Sequence, residues 1–279
     1  MNQLINTTLG KVNTKVAGKK GKPVILFIHG LMASLQYFNE LIEELQNDYY
    51  MIAVDLVGNG DSDKPEKDIY TMENQAASIW EVVSQLNIDC KINLVGHSSG
   101  GAVAIEMANQ HREKVERIIM LGTSTDFTYA KLNPMLSYFS KPIIGSIIKF
   151  ALNFIKLGKK PPEAFSENYD MKQLKHPEIL TGALQRMTVY SIVHTQEMFP
   201  VYTAKKPLHS RLDELKLPTL VLLGTDDRVA TSKGAAHDEA VYKNVQTVTF
   251  NWINGAGHML MIEKVEEVSM AIKNFIPSI

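Results

Sequence analysis

One run of residues, from Ile92 to Gly101, constrains the fold of this chain more than any other. It reads Ile-Asn-Leu-Val-Gly-His-Ser-Ser-Gly-Gly, so β-forming residues lead into Gly-x-Ser-x-Gly and small residues follow. This order is typical of a sharp turn between a strand and a helix, with the serine at its tip. Gly96 and Gly100 suit such a turn because its backbone segments approach too closely for a Cβ atom. The run therefore predicts a strand, a strained Ser98 and a helix directly after it.

Apolar runs and helical patterns alternate along most of the chain. Six runs are apolar on both faces, as in parallel strands covered by helices: Val24–Ile28, Tyr50–Val54, Ile92–Val95, Ile118–Leu121, Leu220–Leu223 and Val245–Ile253. Apolar residues at helical spacing lie between or after them: Phe38–Leu45, Asn74–Leu86, Ala102–Gln110 and Val265–Phe275. The alternation predicts an α/β fold with a mostly parallel, doubly wound sheet.

One long stretch interrupts the alternation. Residues 126–212 contain no clear strand run but several helical patterns and prolines, which predicts a mostly helical cap inserted into a core made of 1–125 and 213–279. Within the cap, seven apolar residues form the broad face of one helix: Ile143, Ile144, Ile147, Ile148, Ala151, Leu152 and Ile155. We expect this face to pack onto the cap and core rather than to lie on a membrane.

Composition limits the classes of partner. The net charge is −1 and no long basic stripe is present, so the sequence favours neither nucleic acid nor an anionic membrane surface. The most apolar stretch, Pro142 to Leu157, is short for a bilayer span and contains two lysines. Cys90 is the only cysteine, and the N-terminus has no signal-peptide pattern. We therefore expect a cytoplasmic protein without an integral membrane span.

A serine hydroxyl needs a neighbouring base to act as a nucleophile. His258 is the best candidate, because it lies in a glycine-rich loop after the strand that ends near Ile253. In open α/β sheets, sites form at the carboxyl ends of the strands. His97 adjoins the serine, but we expect its ring to point away from Ser98.

The base in turn needs a carboxylate to orient it. Asp226 and Asp227 follow the strand Leu220–Leu223, and because they are adjacent only one of them is expected to face His258. Asp126, just past another strand, is a further candidate. On residue pattern alone the choice among these carboxylates stays open.

An oxyanion intermediate needs preorganised N–H donors. The amide of Ser99, directly after the serine, is one candidate. The second is the amide of Leu31 in the loop after Val24–Ile28, where Gly30 lets the backbone turn. We interpret His29 as a structural residue that braces this loop.

Five segments together resemble the α/β-hydrolase family, in its capped esterase and lipase-like branch, and the resemblance spans essentially the whole chain. They are His29-Gly30 after the family's third strand, the loop Asp55–Pro65, the turn Gly96–Gly101, the acid loop Gly224–Val229, and Gly257-His258 followed by Glu263. In this family the acid is usually the aspartate three residues after the glycine, which implies Asp227. The order Ser98, Asp227, His258 also matches the family order.

The sequence departs from the family pattern at Val57 and Asn59, where proline and histidine are usual, and at Ser99, where a larger apolar residue is frequent. These changes imply altered packing rather than loss of activity. A serine at position 98, instead of an aspartate, argues against the dehalogenase and epoxide hydrolase branches.

The leading hypothesis is a serine hydrolase that cleaves carboxylic esters of small, largely apolar molecules, without cofactor or metal. Two alternatives stay open. The same triad could act on a thioester, lactone, amide or C–C bond, or the chain could be a ligand-binding signalling protein with slow hydrolysis. The sequence leaves the physiological substrate and the oligomeric state undetermined.

Overall fold

A single eight-stranded sheet forms the centre of the protein. The structure is a computed structural model and describes residues 2–129, 141–152 and 162–277. The strands are β1 (Asn2–Thr7), β2 (Gly10–Gly18), β3 (Val24–Ile28), β4 (Tyr50–Val54), β5 (Ile92–His97), β6 (Val115–Leu121), β7 (Thr219–Gly224) and β8 (Val248–Ile253). Their order in the sheet is β1-β2-β4-β3-β5-β6-β7-β8.

Strands β3 to β8 are parallel, whereas β1 pairs with β2 and β2 with β4 in the antiparallel sense. The predicted α/β fold with a mostly parallel sheet is therefore confirmed, and all six predicted strands are present. The β1–β2 hairpin was not predicted, because β1 lies at the edge of the sheet and is mostly exposed, and polar residues interrupt the apolar ones in both strands.

Helices cover both faces of the sheet. In chain order they are α1 (Asn39–Leu45), α2 (Met72–Gln85), α3 (Ser99–Gln110), α4 (Pro142–Leu152), α5 (Glu178–Arg186), α6 (Val189–Lys205), α7 (Leu208–Leu215), α8 (Ser232–Lys243), α9 (Leu260–Glu263) and α10 (Val265–Phe275). Alternate side chains of β3 enter different cores: Leu26 packs with residues of α2 and α3, and Phe27 with residues of α1 and α10. This is the doubly wound arrangement that strands buried on both faces require.

Between β6 and β7 the described residues contain helices and no strand. Helices α4 to α7 lie in this part of the chain, where the cap is predicted. Parts of the predicted cap, 130–140 and 153–161, lie outside the described residues. The division into core and cap stays a prediction.

The apolar face of α4 does not pack as expected. Ile143, Ile144 and Ile147 are exposed, whereas Gly145 is buried and Ile148 is half-buried against neighbouring cap residues. A short helix that is apolar on most of its surface can bury only the side that faces its neighbours, and here that side contains Gly145 and Ile148. Ile155 lies outside the described residues.

Candidate active site

Ser98 lies in a strained turn between β5 and α3. Its backbone angles are φ 52° and ψ −126°, a combination that L-residues rarely adopt and that costs energy. A Cβ atom on Gly96 would lie 2.4 Å from the carbonyl oxygen of Gly100, and one on Gly100 would lie 2.3 Å from that of Ile28. The N–H of Ser98 donates to the carbonyl of Leu121 at 2.8 Å. The two glycines are therefore required sterically, and the turn is pinned to β6.

Asp227 and His258 form a nearly buried pair at the carboxyl ends of β7 and β8. His258 Nδ1 donates to Asp227 Oδ2 at 2.8 Å, and the side chains are 13% and 11% exposed. The other carboxylate oxygen, Oδ1, accepts the N–H of Val229 at 2.8 Å. Both carboxylate oxygens therefore accept hydrogen bonds. Because Nδ1 of His258 carries the proton that it donates to Asp227, Nε2 is the ring nitrogen that can accept a proton.

Opposing effects set the protonation of this pair. Burial by itself lowers the pKa of His258, but the charge and hydrogen bond of Asp227 raise it, and the net direction is upward. Burial by itself raises the pKa of Asp227, but His258 and backbone N–H groups of Val229 and Ala230 lower it below its ordinary value. Asp227 is therefore ionised, and the imidazolium form of His258 is stabilised by its partner.

Two consecutive residues, Leu121 and Gly122, lie beside Ser98 and His258 respectively, which brings the serine close to the pair. Gly122, which follows the residue that accepts the Ser98 N–H, lies so near His258 that a Cβ on it would be 3.3 Å from Nδ1. Among the hydrogen bonds of the described residues, none joins the Ser98 hydroxyl to the His258 ring. Such contacts are often long before substrate binds and tighten in the complex.

The other carboxylate candidates have different partners. Asp226 accepts hydrogen bonds from the hydroxyls of Ser166 and Thr225, at 3.2 and 3.1 Å. Asp126 lies 3.6 Å from Nε2 of His237. Of the three carboxylates considered, Asp227 is the one that contacts His258.

The loop after β3 contacts Ser98 directly. A Cβ on Gly30 would lie 2.8 Å from Cβ of Ser98. Within the described part of the chain, neither the Leu31 N–H nor the Ser99 N–H has a hydrogen-bond acceptor. Both residues are half-buried beside Ser98 and their amides are available as donors, which is what an oxyanion hole requires.

His29 braces this loop from inside the core. Its ring donates from Nδ1 to the carbonyl of Gly30 at 2.7 Å and accepts the N–H of Leu56 at Nε2, at 3.0 Å. Burial lowers its pKa, although the charge of Asp55 and the Gly30 carbonyl oppose the shift. A neutral, fully buried ring with both nitrogens occupied has a structural role.

Met32 connects the same loop to the helices between β6 and β7. It has a positive φ of 56° and packs against the small apolar cluster around Met187 and Ile192, which Ile148 of α4 also contacts. Side chains of the predicted cap therefore hold the residue next to Leu31 and help to fix the geometry of the loop.

His97 is a residue whose position the sequence interpretation missed. Its ring packs against the His258 ring, with centroids 4.9 Å apart, and Nε2 donates to the His258 backbone carbonyl at 3.0 Å. Burial, and then the nearby His258, lower the pKa of His97 to about 3. The neutral His97 ring thus packs against the base and binds its backbone carbonyl. The sequence signal that could have indicated this role is the position of His97 directly before Ser98.

Residues 162–166 brace both loops of the pair and were also missed. Arg228, next to the acid, donates to two backbone carbonyls of this segment at 2.9 and 3.0 Å. Glu263 accepts the N–H of Ser166 at 2.9 Å and that of Gly257 at 3.1 Å. The segment therefore joins the loops of Asp227 and His258. Nothing in its sequence, which begins with the second of two consecutive prolines, indicated this contact.

The described residues contain no group of three or more His, Cys, Asp or Glu side chains arranged to hold a metal ion. No helix in the described ranges has both the length and the apolar character that crossing a membrane needs.

Comparison with known proteins agrees with this geometry. Residues 23–265 match the family model described as the alpha/beta hydrolase fold. The 2-hydroxy-6-oxo-6-(2'-aminophenyl)hexa-2,4-dienoic acid hydrolase of Metapseudomonas resinovorans is 25% identical over 277 residues, which cover 96% of this chain and 88% of the relative. The carboxylesterase YbfK of Bacillus subtilis is 22% identical over 272 residues, 98% of this chain and 86% of the relative.

Among solved structures, the enol-lactonase of Burkholderia xenovorans superposes with a TM-score of 0.80 at 17% identity, over 98% of this chain and 99% of that one. At this identity the likeness concerns the fold. The family model covers most of the sequence, and the eight-stranded, mostly parallel sheet with flanking helices matches that fold. The chain belongs to the alpha/beta hydrolase family.

Proposed function

We propose that this protein is a serine hydrolase that cleaves carboxylic esters of small, largely apolar molecules through an acyl-enzyme intermediate. The observation that carries the proposal is the nearly buried Asp227–His258 pair beside a serine held in a strained turn. Triads are recognised by this geometry and by the roles of their members.

In the proposed first step, the Ser98 hydroxyl attacks the ester carbonyl carbon and His258 Nε2 accepts its proton. The carbonyl oxygen becomes an oxyanion, and the N–H groups of Leu31 and Ser99 stabilise it. His258 then returns the proton to the leaving alcohol as the C–O bond breaks, which leaves the acyl group on Ser98.

In the second step, water replaces the alcohol. His258 accepts a proton from water, the hydroxide attacks the acyl carbon, and the proton returns to Ser98 as the carboxylic acid departs. Asp227 does not itself become protonated. It keeps Nε2 of His258 available and stabilises the imidazolium in both steps.

Two observations support an ester with an apolar part. The loop of Leu31 adjoins the apolar cluster of Met32, Met187 and Ile192, so the surroundings of the proposed oxyanion hole are apolar on this side. The name of the B. subtilis relative, a carboxylesterase, is consistent with the same reaction. The name of the M. resinovorans relative points to another substrate class, so the panel below includes other bonds.

The test is hydrolysis of p-nitrophenyl esters of graded acyl length, together with a thioester, a lactone, an anilide and a compound with a C–C bond beside a ketone. We expect fastest turnover of an ester and loss of activity in Ser98→Ala. Ser84→Ala, an exposed serine of α2, is the matched control and keeps full activity. Absence of ester hydrolysis, or unchanged hydrolysis by Ser98→Ala, would refute the proposal. A single slow turnover with ligand-induced thermal stabilisation would favour the binding protein instead.

A further inference from the structure

The loop that follows β6 contacts both the proposed nucleophile and the proposed base. It comprises residues 122–125, and we call it the β6 loop. A Cβ on Gly122 would lie 3.1 Å from the carbonyl oxygen of His258 and 3.3 Å from Nδ1 of its ring. The hydroxyl of Thr123 donates to the carbonyl oxygen of Ser98 at 2.9 Å. A shift of this loop would therefore change the distance between the nucleophile and the base.

The contact between the β6 loop and the strained turn leaves no spare room. A Cβ on Gly101 would lie 2.5 Å from Oγ1 of Thr123. The N–H of Ser98 donates to the carbonyl of Leu121, directly before the loop, at 2.8 Å. Ser98 is thus hydrogen bonded through its N–H and its C=O to positions 121 and 123, so a displacement of the loop would also displace Ser98.

Two side chains of α8 bind the β6 loop. Asp238 Oδ1 accepts the N–H of Thr125 at 2.9 Å, and the side chain of Ser124 donates to the same carboxyl group. The Tyr242 hydroxyl donates to the carbonyl of Thr123 at 3.2 Å. Asp238, Thr125 and Tyr242 are at most 3% exposed, so solvent water does not reach these groups to replace a lost partner.

The remaining polar groups of Thr125 are bound by α7. Its carbonyl accepts the N–H of Leu208 at 2.8 Å, and its hydroxyl lies 2.7 Å from Nδ1 of His209. The N–H of Thr125, in contrast, donates to Asp238. Without that carboxyl group a fully buried N–H would lose its acceptor, a cost that the loop can reduce only by moving.

The carboxyl group of Asp238 is kept in this position at an energetic cost. Burial raises its pKa to about 6, and the charge of Asp126 acts in the same direction, whereas its two hydrogen-bond donors and the nearby His237 oppose the shift. Perturbed carboxyl groups of this kind are concentrated at functional sites. The hydrogen bonds to the β6 loop show which part of the molecule this group serves.

We propose that Asp238 is a positioning residue for the reaction of Ser98. By accepting the Thr125 N–H it fixes the β6 loop, and with the loop the distance between the Ser98 hydroxyl and His258. The inference rests on the proposed function, because it takes Ser98 as the nucleophile and His258 as the base, but it holds whichever bond is cleaved. Asp238 acts through the loop and does not itself touch the reacting atoms.

The experiment compares Asp238→Ala with Asp238→Asn in the full chain. Alanine removes the acceptor of the Thr125 N–H. Asparagine keeps an oxygen there and can donate its NH2 group to the Ser124 hydroxyl. Glu239→Gln is the matched control, because it neutralises the adjacent carboxylate of α8, which pairs with Lys243 on the same helix.

For each protein we would measure kcat and KM with the best p-nitrophenyl ester, and the rate at which a fluorophosphonate labels Ser98. The amount of label at completion gives the concentration of active sites, and the melting temperature reports stability. The labelling rate depends on Ser98 and its base but not on ester specificity. In a wild type that is labelled but hydrolyses no ester, the ester proposal fails and the labelling rates alone decide the role of Asp238.

In weakly alkaline buffer, Asp238→Ala should lower kcat and the labelling rate per active site at least about tenfold while KM changes less than about threefold, because misplaced reacting groups slow the reaction without weakening binding. Asp238→Asn and Glu239→Gln should stay within about threefold of the wild type. A purely structural role would lower the melting temperature and the number of active sites but leave kcat per active site unchanged.

Thr123→Val keeps the test decisive if Asp238→Ala does not fold. Valine has nearly the shape of threonine and removes the hydrogen bond to the Ser98 carbonyl, so kcat should again fall with KM retained. Where both single variants fold, Thr123→Val/Asp238→Ala should lose less than the product of the two single losses, because both act through the same loop.

Three results would overturn the inference. The first is a wild-type kcat and labelling rate per active site in Asp238→Ala, and the second is the same in Thr123→Val. The third is an Asp238→Asn protein as slow as Asp238→Ala, because acceptance of the Thr125 N–H would then not be what the site needs.

Discussion

Replacement of Asp227 by asparagine tests the orientation of the base most directly. In Asp227→Asn the new side-chain oxygen would stay toward the Val229 N–H, which lies 2.8 Å from Oδ1 in the wild type. The new NH2 group would then face His258 Nδ1, where the carboxylate now accepts at 2.8 Å. That ring nitrogen would become the acceptor, the proton would move to Nε2, and Nε2 could no longer take the proton of Ser98.

The expected loss is large because the pair is almost removed from water, at 13% and 11% exposure. In Asp227→Asn the imidazolium that forms in the transition state would have no charged partner, a loss that we take to equal that of breaking a buried charge pair, about 3–5 kcal/mol. At about 1.4 kcal/mol per factor of ten, kcat/KM should fall roughly 10²- to 10⁴-fold. The fold should persist, because asparagine has nearly the same shape.

The assay is kcat/KM for the best p-nitrophenyl ester, with the melting temperature measured alongside. Asp226→Asn is the matched control: it removes the adjacent carboxylate, which contacts Ser166 and Thr225 rather than His258, and should change kcat/KM by less than about threefold. A loss in Asp226→Asn with activity retained in Asp227→Asn would show that the acid is assigned to the wrong residue.

Three further expectations follow from the same geometry. Ser98→Gly should unfold with a free energy about 1–2 kcal/mol higher than Ser98→Ala in a denaturant titration, because glycine relieves the strain at φ 52°; equal values would show that the turn is not strained. The kcat/KM should fall as the pH drops through a His258 pKa above 6.5, since the imidazolium cannot accept a proton. In Asp227→Asn that acid limb should move to lower pH. The raised pKa also stabilises the fold at low pH, a contribution lost as the pH rises through the folded-state value. His97→Ala should leave the His258 carbonyl without its donor, lower stability by about 1–3 kcal/mol and reduce kcat/KM; an unchanged melting temperature and pH profile would contradict the role of His97.

Much of the sheet could be predicted because its strands are buried on both faces and read as continuous apolar runs. The β1–β2 hairpin could not be predicted, since β1 has only two apolar residues, Leu4 and Ile5, which are adjacent, and Leu4 is itself exposed at the edge of the sheet. The apolar periodicity of α4 was recognised, but periodicity shows that a face exists and not what covers it, and Ile143 proved to be exposed.

For the site, the motif around Ser98 and the loop of His258 were visible because their glycines and their position after strands are local features. The choice of Asp227 over Asp226 depended on family resemblance, because both residues occupy the same turn. The contact of His97 with His258 joins residues far apart in sequence. A local sequence pattern around either histidine contains no information about such a contact.

The contacts of residues 162–166 bear on how this enzyme can be recombined with its relatives. Arg228 and Glu263 bind this short segment to the loops of the acid and the base. The segment therefore supports the candidate site although it lies within the predicted cap. A chimera that exchanged 126–212 as one block would replace the segment that supports the loops of Asp227 and His258 together with the helices of the predicted cap. A graft that leaves 162–166 in place keeps the hydrogen bonds that support the two loops and exchanges only the rest of the predicted cap.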